Sequence, residues 1–551
     1  MIIDTFIKIP ADVRKRAVWA IDALMNATGI TWREVVDPEG EPSSILLRYG
    51  EKPDKRDVKA NVILDVPFTP EFYMVDQDPH LVQVIKMTMV TGGNNLVSVE
   101  PDGETVICHF RADLFANVFF HLSRVEENLL TGQEVGGRFQ VEHSLLRQVD
   151  LLHAPVVDEL IDAFVDALVG ACRIAGIPLL RKGRWPNDER MSLFLSHDVD
   201  RLRKWTPGRI IREMRGGLRR IIESGSSVIR GDDPYRSGFR EVIEAEEHYG
   251  VRSTFYVGGR SSSMPVTERS DLSYRLHEER ELVTFLSEVV KRGWEVGLHG
   301  SLTSFLSTER LQSEREELER SLGITVVGVR QHYLRFTPPD TWGCQEAAGF
   351  LYDATLGYAD AEGFRAGTSL PFIPYDTHND RSFTLIEVPL TVMDATLDGY
   401  RRYDARTAEE RVFSLLSTVE RHCGVFSFLL HQSALDTEEH PFMGELYRQF
   451  LRHIPSGHTY IATGREIARW WRQRMGMMIQ DVRREENGWR WVWQSSVGID
   501  RITLEVDGVR TFRSVNVKGC RGEVCQRGNE SAVIRLFNVP AQQHFEITIT
   551  L

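Results

Sequence analysis

Two carboxylates two residues apart, Asp198 and Asp200, follow the apolar run Met191-Ser192-Leu193-Phe194-Leu195. In an extended chain residues i and i+2 point to the same side, so both carboxylates face one space. Like charges held that close repel unless a cation or a shared proton intervenes. The pair is therefore a candidate for metal binding or acid–base work, against the plainer reading of a surface acidic turn with a helix cap. Three more apolar runs end in groups of the same kind. Trp294 to Leu298 leads into His299-Gly300-Ser301, Thr325 to Val329 into Arg330-Gln331-His332-Tyr333, and Val425 to Leu430 into His431-Gln432-Ser433. An arginine at such a point can pair with a carboxylate and fix its orientation. Each signal alone is weak, and a lone histidine after a strand is more often structural. Four ionisable strand ends in one unit are a different matter, because parallel α/β folds place their reactive side chains where strands end.

The elements that position these residues can be read from periodicity. Short apolar strands are predicted at 191–196, 253–258, 294–298, 325–329, 384–390 and 425–430, with helical spacing between them at about 237–249, 278–292, 308–322, 407–422 and 443–454. Strand–helix alternation over some 280 residues argues for a parallel sheet of the size of a closed or nearly closed (β/α) barrel, placed at 190–475. Residues 1–182 mix helical signals (Ala11–Asn26, Leu114–Leu130, Val156–Ala175) with short β-like runs (Ser44–Tyr49, Asn61–Val66) and read as an α+β accessory domain without a catalytic constellation. The segment Arg181 to Asn187 reads as a linker. Residues 480–551 read as a small all-β, sandwich-like domain, with a hairpin turning at Asp507-Gly508 between Ile502–Val506 and Val509–Val515 and further strands at Ala532–Phe537 and Phe545–Leu551.

The order Asp-x-Asp, His, Arg-x-x-Tyr and Leu-Leu-His resembles the polysaccharide deacetylase (NodB-homology) family of amide and ester hydrolases, over about residues 190–470. The resemblance implies a deformed (β/α) barrel and one divalent metal, often zinc. It assigns Asp198 as the catalytic base, Asp200 and His299 as metal ligands, Arg330 as the residue that holds the base, Tyr333 as a backbone oxyanion donor and His431 as the general acid. One position departs from the family: the second histidine expected four residues after His299 is Thr303. Zinc catalysis usually wants three protein ligands plus water, and His332, in the neighbouring motif, is the candidate replacement. A two-ligand site and a metal-free site are the alternatives. Asp394 is the candidate carboxylate to orient His431, with Asp353 as the other. Arg365, in a glycine-flanked loop, could bind a sugar hydroxyl or a phosphate. The stretch Phe119 to Arg124 also resembles a poorly characterised domain attached to some bacterial relatives.

These assignments imply removal of an N-acetyl group from a sugar or glycan precursor, with metal-assisted activation of water and proton transfers by Asp198 and His431. From other classes, the alternatives are an altered barrel acting as a glycan-binding or scaffold protein, or a metal-independent hydrolase of small cyclic amides. Composition constrains the partners. The 551 residues carry 66 Lys and Arg against 79 Asp and Glu, a net charge of −13, which disfavours nucleic acid as a partner. No apolar run approaches the ~18–20 residues that span a bilayer, and the N-terminus lacks the pattern of a secretory signal. Six cysteines without a Cys-x-x-Cys pair complete the expectation of a cytoplasmic, reduced protein. Two further features carry a bland and a sharp reading. The basic amphipathic segment at 201–222 is either a solvated helix or a contact for anionic membrane or a lipid-linked substrate. The stripe Trp489, Trp491 and Trp493 is either the core of the last domain or a sugar-stacking face.

Overall fold

The computed structural model describes all residues except 38–42, 52–58, 75–95, 131–135, 207–232, 261–270, 273, 455–456, 509–512, 528–530 and 551. Most of the basic segment expected at 201–222 lies outside the described residues.

A strand that the sequence reading did not foresee precedes the helix expected at Ala11–Asn26. β1 (Ile2–Lys8), β2 (Thr31–Glu34), β3 (Ser43–Gly50), β4 (Ala60–Val66), β5 (Val97–Asp102) and β6 (Thr105–Phe110) form one sheet in the order β2-β1-β3-β4-β6-β5. Only β5 and β6 pair antiparallel. The runs Ile45-Leu46-Leu47 and Val62-Ile63-Leu64 are buried throughout, as expected of parallel strands covered on both faces. The helices Arg14–Thr28, Leu114–Leu122 and Val156–Ala175 supply the cover. Asp113 caps the second of these, accepting a hydrogen bond from the Ala116 N–H at 2.9 Å.

β7 (Leu179–Lys182) leaves this unit to pair with the C-terminal region. The middle of the chain forms the parallel sheet expected from the strand–helix alternation. β8 (Met191–Val199), β9 (Thr254–Gly258), β10 (Glu295–Gly300), β11 (Gly328–Gln331), β12 (Tyr352–Asp353), β15 (Ile386–Glu387), β16 (Val392–Met393) and β17 (Val425–Leu429) are ordered β15-β12-β11-β10-β9-β8-β17-β16, with β18 (Thr459–Ile461) paired to the start of β8. Between β12 and β15 lies a small hairpin, β13 (Tyr375–Asp376) with β14 (Arg381–Ser382). The sheet curls into a deformed (β/α) barrel that stays open, since β15 and β16 end the order without pairing to each other. Helices Pro234–His248, Arg280–Lys291, Thr308–Leu322, Ala405–Arg421 and Met443–Arg452 connect its strands. Two short strands, β12 and β16, escaped the periodicity because two residues cannot establish a period. β11 starts three residues later than expected, so Arg330 lies on the strand. Gly328 is required there: a Cβ would lie 2.1 Å from the Tyr352 ring, which fills the barrel interior.

The C-terminal strands β19 (Met477–Glu485), β20 (Gly488–Ser495), β21 (Ile499–Asp507), β22 (Ser514–Lys518), β23 (Arg521–Arg527), β24 (Ser531–Val539) and β25 (His544–Thr550) form two antiparallel sheets, β19-β20-β25-β22 and β23-β24-β21-β7. Among the described residues the strands on either side of Asp507-Gly508 do not pair with each other as the expected hairpin requires. Gly508 does turn the chain, at φ +81°, but β21 pairs with β24 and β7 while β22 pairs with β25 in the other sheet. Trp489, Trp491 and Trp493 alternate inward and are buried, with Trp493 stacked on Phe545 at 6.3 Å. They are core residues and offer no exposed sugar-stacking face. One apolar cluster runs from Met1 to Ile549 through all three regions. Where they meet, the buried Arg474 donates to the carbonyls of Asn26, Ala27, Lys182 and Gly183. None of the described helices is long and apolar enough to cross a membrane.

Candidate metal and catalytic centre

The alternation of β8 sorts its polar residues onto two faces. Ser196 and Asp198 turn towards Arg330, whose Nη1 donates to Ser196 Oγ at 2.7 Å and to Asp198 Oδ1 at 3.1 Å. His197, between them, turns away and bonds Glu246 at 2.9 Å and the Leu430 carbonyl at 2.8 Å. Asp198 thus sits on the strand itself rather than in a turn beyond it, and is buried. Arg330 is buried too. Its Nε donates to the Ala354 carbonyl at 2.8 Å, and the guanidinium lies 4.4 Å from the Tyr256 ring centroid. Locked this way, it fixes the orientation of Asp198.

Asp200, just past the end of β8, meets three histidines. Its Oδ1 lies 3.0 Å from His299 Nε2 and 3.6 Å from His332 Nε2, and its Oδ2 lies 3.6 Å from His431 Nε2. His299 Nδ1 faces the Arg330 carbonyl at 3.1 Å and so carries a proton, which makes Nε2, the atom facing Asp200, the one that would meet a metal. The donor atoms of Asp200, His299 and His332 all lie within 4.8 Å of one another. Tetrahedral zinc with ligands at ~2.0–2.1 Å separates its donors by roughly 3.3 Å. The 3.0 and 3.6 Å edges bracket that spacing, and two imidazoles with one carboxylate suit zinc, so the residues fit such an ion. Thr303, where the resemblance led to the expectation of a second histidine, accepts a hydrogen bond from Arg310 at 3.0 Å.

His332, Tyr333 and Leu334 form a tight turn after β11, with Tyr333 at φ +60° and Leu334 at φ +53°. Two successive non-glycine residues in that region are strained, and such strain tends to sit at functional sites. The turn lays the Tyr333 ring on the His332 ring at 4.3 Å between centroids. On the opposite side, Asp394 accepts from His431 Nδ1 at 2.7 Å and from the His431 backbone N–H at 2.8 Å. That leaves His431 Nε2 facing Asp200.

Charge is balanced within this cluster. Burial opposes ionisation of Asp200, but the His332 charge, hydrogen bonds from His299 and His332, and the His431 charge hold its carboxyl well below the usual range. Burial likewise disfavours charged His431, yet Asp394 and Asp200 outweigh it and raise its pKa to about 10. Asp198, Asp200, His299, His332, Tyr333 and His431 line one cavity of about 100 Å³ together with Arg138, Leu334, Ala359, Met393, Ala395 and Tyr400. This is the volume of about three liquid waters.

Two expected site residues lie elsewhere. Asp353 is buried away from His431 and accepts from Gln345 at 2.9 Å and Thr355 at 2.5 Å. Arg365 is buried and grips Glu127 with two bonds, at 2.9 and 2.7 Å, so it joins the N-terminal region to the barrel instead of meeting a ligand. Asp271 was missed. Its carboxylate, held by the Leu272 and Leu302 N–H groups, lies 3.7 Å from His332 Nδ1. No motif marks it. Arg138 and Tyr400 were missed too, although they line the same cavity from segments far apart in sequence.

A family model described as a family of unknown function (DUF7033) matches residues 44–172. No curated protein matches the sequence. Among solved structures, the chain is similar to a provisionally assigned polysaccharide deacetylase from Mycobacterium smegmatis (18% identity, TM-score 0.36, covering 52% of this chain and 92% of that one). It is similar to PuuE allantoinase (14% identity, TM-score 0.36, covering 52% and 92%). It is also similar to a CE4 family pseudoenzyme from Bacillus anthracis (14% identity, TM-score 0.25, covering 52% and 67%).

Proposed function

We propose that the barrel hydrolyses an N-acyl amide, foremost an N-acetyl group, on a sugar or glycan precursor. One observation carries this reading. Asp200, His299 and His332 gather three metal-type donors within 4.8 Å, and the cavity they share is flanked by a carboxylate held by arginine and an imidazole held by carboxylate.

Asp200, His299 and His332 would hold a divalent ion, which supplies Lewis acidity and lowers the pKa of water. The remaining work falls to the protein. Asp198, oriented by Arg330, takes a proton from the attacking water through the oxygen that Arg330 leaves free. His431 carries its Nδ1 proton into Asp394 and presents Nε2–H to the departing nitrogen. The Asp394 carboxylate keeps that imidazole charged until the proton is needed. Tyr333 lines the cavity, and its backbone N–H meets the oxyanion. The cavity matches the three heavy atoms of an acetyl group rather than a sugar ring, and Leu334, Ala359 and Met393 give it an apolar wall for the methyl.

The test is acetate release from N-acetylated sugars by protein loaded with zinc and by protein stripped with a chelator. Turnover that requires the metal supports the reading. Carbohydrate binding that persists in Asp198→Asn, with no metal uptake and no acetate from the parent protein, replaces it with a glycan-binding barrel.

A further inference from the structure

The mouth of the cavity holds a cation brought from far away in the sequence. Arg138 belongs to the N-terminal 182 residues, yet it lines the barrel cavity beside Asp198 and His431. Its position is built. Phe139 is buried in a cluster with Val141, Leu152, Tyr358 and Ala361, and the Gly137 carbonyl accepts from the Phe336 N–H at 2.9 Å. Gly137 lies at φ +74°, where a Cβ would run into the Arg335 side chain. The segment is thus pinned on both sides of Arg138.

The guanidinium stands 5.8 Å from the Tyr333 ring centroid and 5.9 Å from that of Tyr400, and donates to the Tyr400 hydroxyl at 2.8 Å. Both tyrosines are exposed, at 41% and 47%. Arg201 follows Asp200 just past the end of β8, where its backbone carbonyl accepts from Gln432 at 2.5 Å. The charges of both arginines act on the Tyr333 phenol. Among the described residues neither Arg138 nor Arg201 has an ion-pair partner. The cavity behind them holds the carboxylates Asp198 and Asp200. A purely structural arginine would be expected to turn towards those carboxylates or towards a surface acid. Arg138 instead spends one of its five N–H donors on a tyrosine and keeps the rest at the rim.

We infer that Arg138, with Arg201, recognises an anionic group on the substrate next to the acylated nitrogen, so that the enzyme acts on N-acylated sugars bearing a carboxylate or phosphate. This rests on the deacylase reading and adds the substrate class. Tyr333 and Tyr400 offer ring faces to the sugar, and the arginines read its charge. The N-terminal region thereby completes the substrate site of the barrel.

Recognition and turnover can be separated experimentally. Binding is measured by calorimetry on the full-length Asp198→Asn protein with tetra-N-acetylchitotetraose and a hyaluronan tetrasaccharide, and with N-acetylglucosamine and its 1-phosphate. Each pair compares a neutral with an anionic sugar of equal length, and the two pairs distinguish carboxylate from phosphate. A charged hydrogen bond contributes ~1.5–3 kcal/mol, so at least one anionic probe should bind about tenfold to a hundredfold tighter than its neutral partner. Adding Arg138→Gln should erase that preference, and Arg138→Lys should retain most of it. Equal binding of both members of each pair, a preference that survives Arg138→Gln together with Arg201→Gln, or no binding of any probe overturns the inference. Acetate release by the wild-type protein is scored separately. Release without anion preference leaves the deacylase reading standing and removes this inference. Anion preference without release removes the deacylase reading and leaves Arg138 as an anion-recognition residue of a binding site.

Discussion

Replacing His332 by alanine tests the proposed third metal ligand, which lies in the turn after β11 rather than at position 303. The geometry gives the magnitude. His332 Nε2 lies 3.6 Å from Asp200 Oδ1, and with it the cluster has three protein donors. Structural zinc sites bind with about 10–16 kcal/mol over four ligands, or roughly 2.5–4 kcal/mol for each. At ~1.4 kcal/mol per tenfold, His332→Ala should weaken zinc binding by about 10² to 10³-fold. Asp200→Asn and His299→Ala should fall in the same range. Thr303→Ala should leave affinity within about twofold, because the Thr303 hydroxyl is committed to Arg310. Competition for zinc against a chromogenic chelator at fixed pH reads all four variants. Circular dichroism and melting temperature check that each is folded, a needed control because His332 is buried. Zinc affinity within threefold of wild type in a folded His332→Ala protein would remove His332 from the site. A loss in Thr303→Ala as large as in His332→Ala would show that the ligand set has been misread.

Three further outcomes follow from the same coordinates. Proton transfer contributes roughly 10² to 10⁴ in rate, so Asp198→Asn and His431→Ala should each lower kcat for acetate release by at least that range while binding changes little; near-normal turnover removes the residue from the mechanism. Burial raises the Glu314 carboxyl from 4.5 to about 7, although it accepts from the Ser301 N–H and hydroxyl. The folded state then keeps a proton that the unfolded chain has lost between about pH 4.5 and 7, so wild-type stability declines as pH rises through that window. Glu314→Gln should therefore gain on wild type by up to ~3 kcal/mol from pH 4.5 to 7 in urea unfolding, and a difference independent of pH refutes the shift. Glu127 bonds both Arg124 and Arg365 in a buried cluster. Glu127→Gln leaves the buried Arg365 charge without a carboxylate, while Arg124 keeps Glu126 at 3.0 Å, and should cost about 3–5 kcal/mol in the same assay; a loss below 1 kcal/mol would show that the pair does not hold the two regions together.

What the sequence made legible was local. The Asp-x-Asp spacing places Asp198 and Asp200 at the cavity and turns His197 away, because extended backbone alternates whatever the rest of the chain does. The strand–helix rhythm gave the sheet, and Thr303 pointed to His332. The errors came from information held elsewhere in the chain. Arg365 in its glycine-flanked loop carries the marks of an exposed residue, and its partner Glu127 lies 238 residues away. Asp507-Gly508 turns the chain as such a pair should, but the choice of β24 and β7 over β22 as neighbours belongs to sheet packing. Asp353 and Asp394 are equally plausible orienters of His431 by position. Only the short strands β12 and β16, too brief to show a period, decide which one meets it.

The polar groups around the cavity divide into a half that the fold uses and a half that it leaves. His299 gives Nδ1 to the Arg330 carbonyl and keeps Nε2. His431 gives Nδ1 to Asp394 and keeps Nε2. Asp198 gives one oxygen to Arg330, and its other lies 3.9 Å from His299, beyond a hydrogen bond. Arg330 Nη2 and His332 Nδ1 are buried without a hydrogen-bond partner. Cores selected for stability alone satisfy such groups, since each one left buried and unpaired costs about 1–3 kcal/mol. The atoms left over by His299, His431 and Asp198, two Nε2 and one carboxylate oxygen, belong to residues that line one cavity of about 100 Å³. The arrangement is the one the proposed amide hydrolysis requires. Packing alone gains nothing by holding two imidazoles and one carboxylate half-satisfied. A barrel that hydrolyses an amide requires those free atoms, aimed inward, with the fold holding the other end of each.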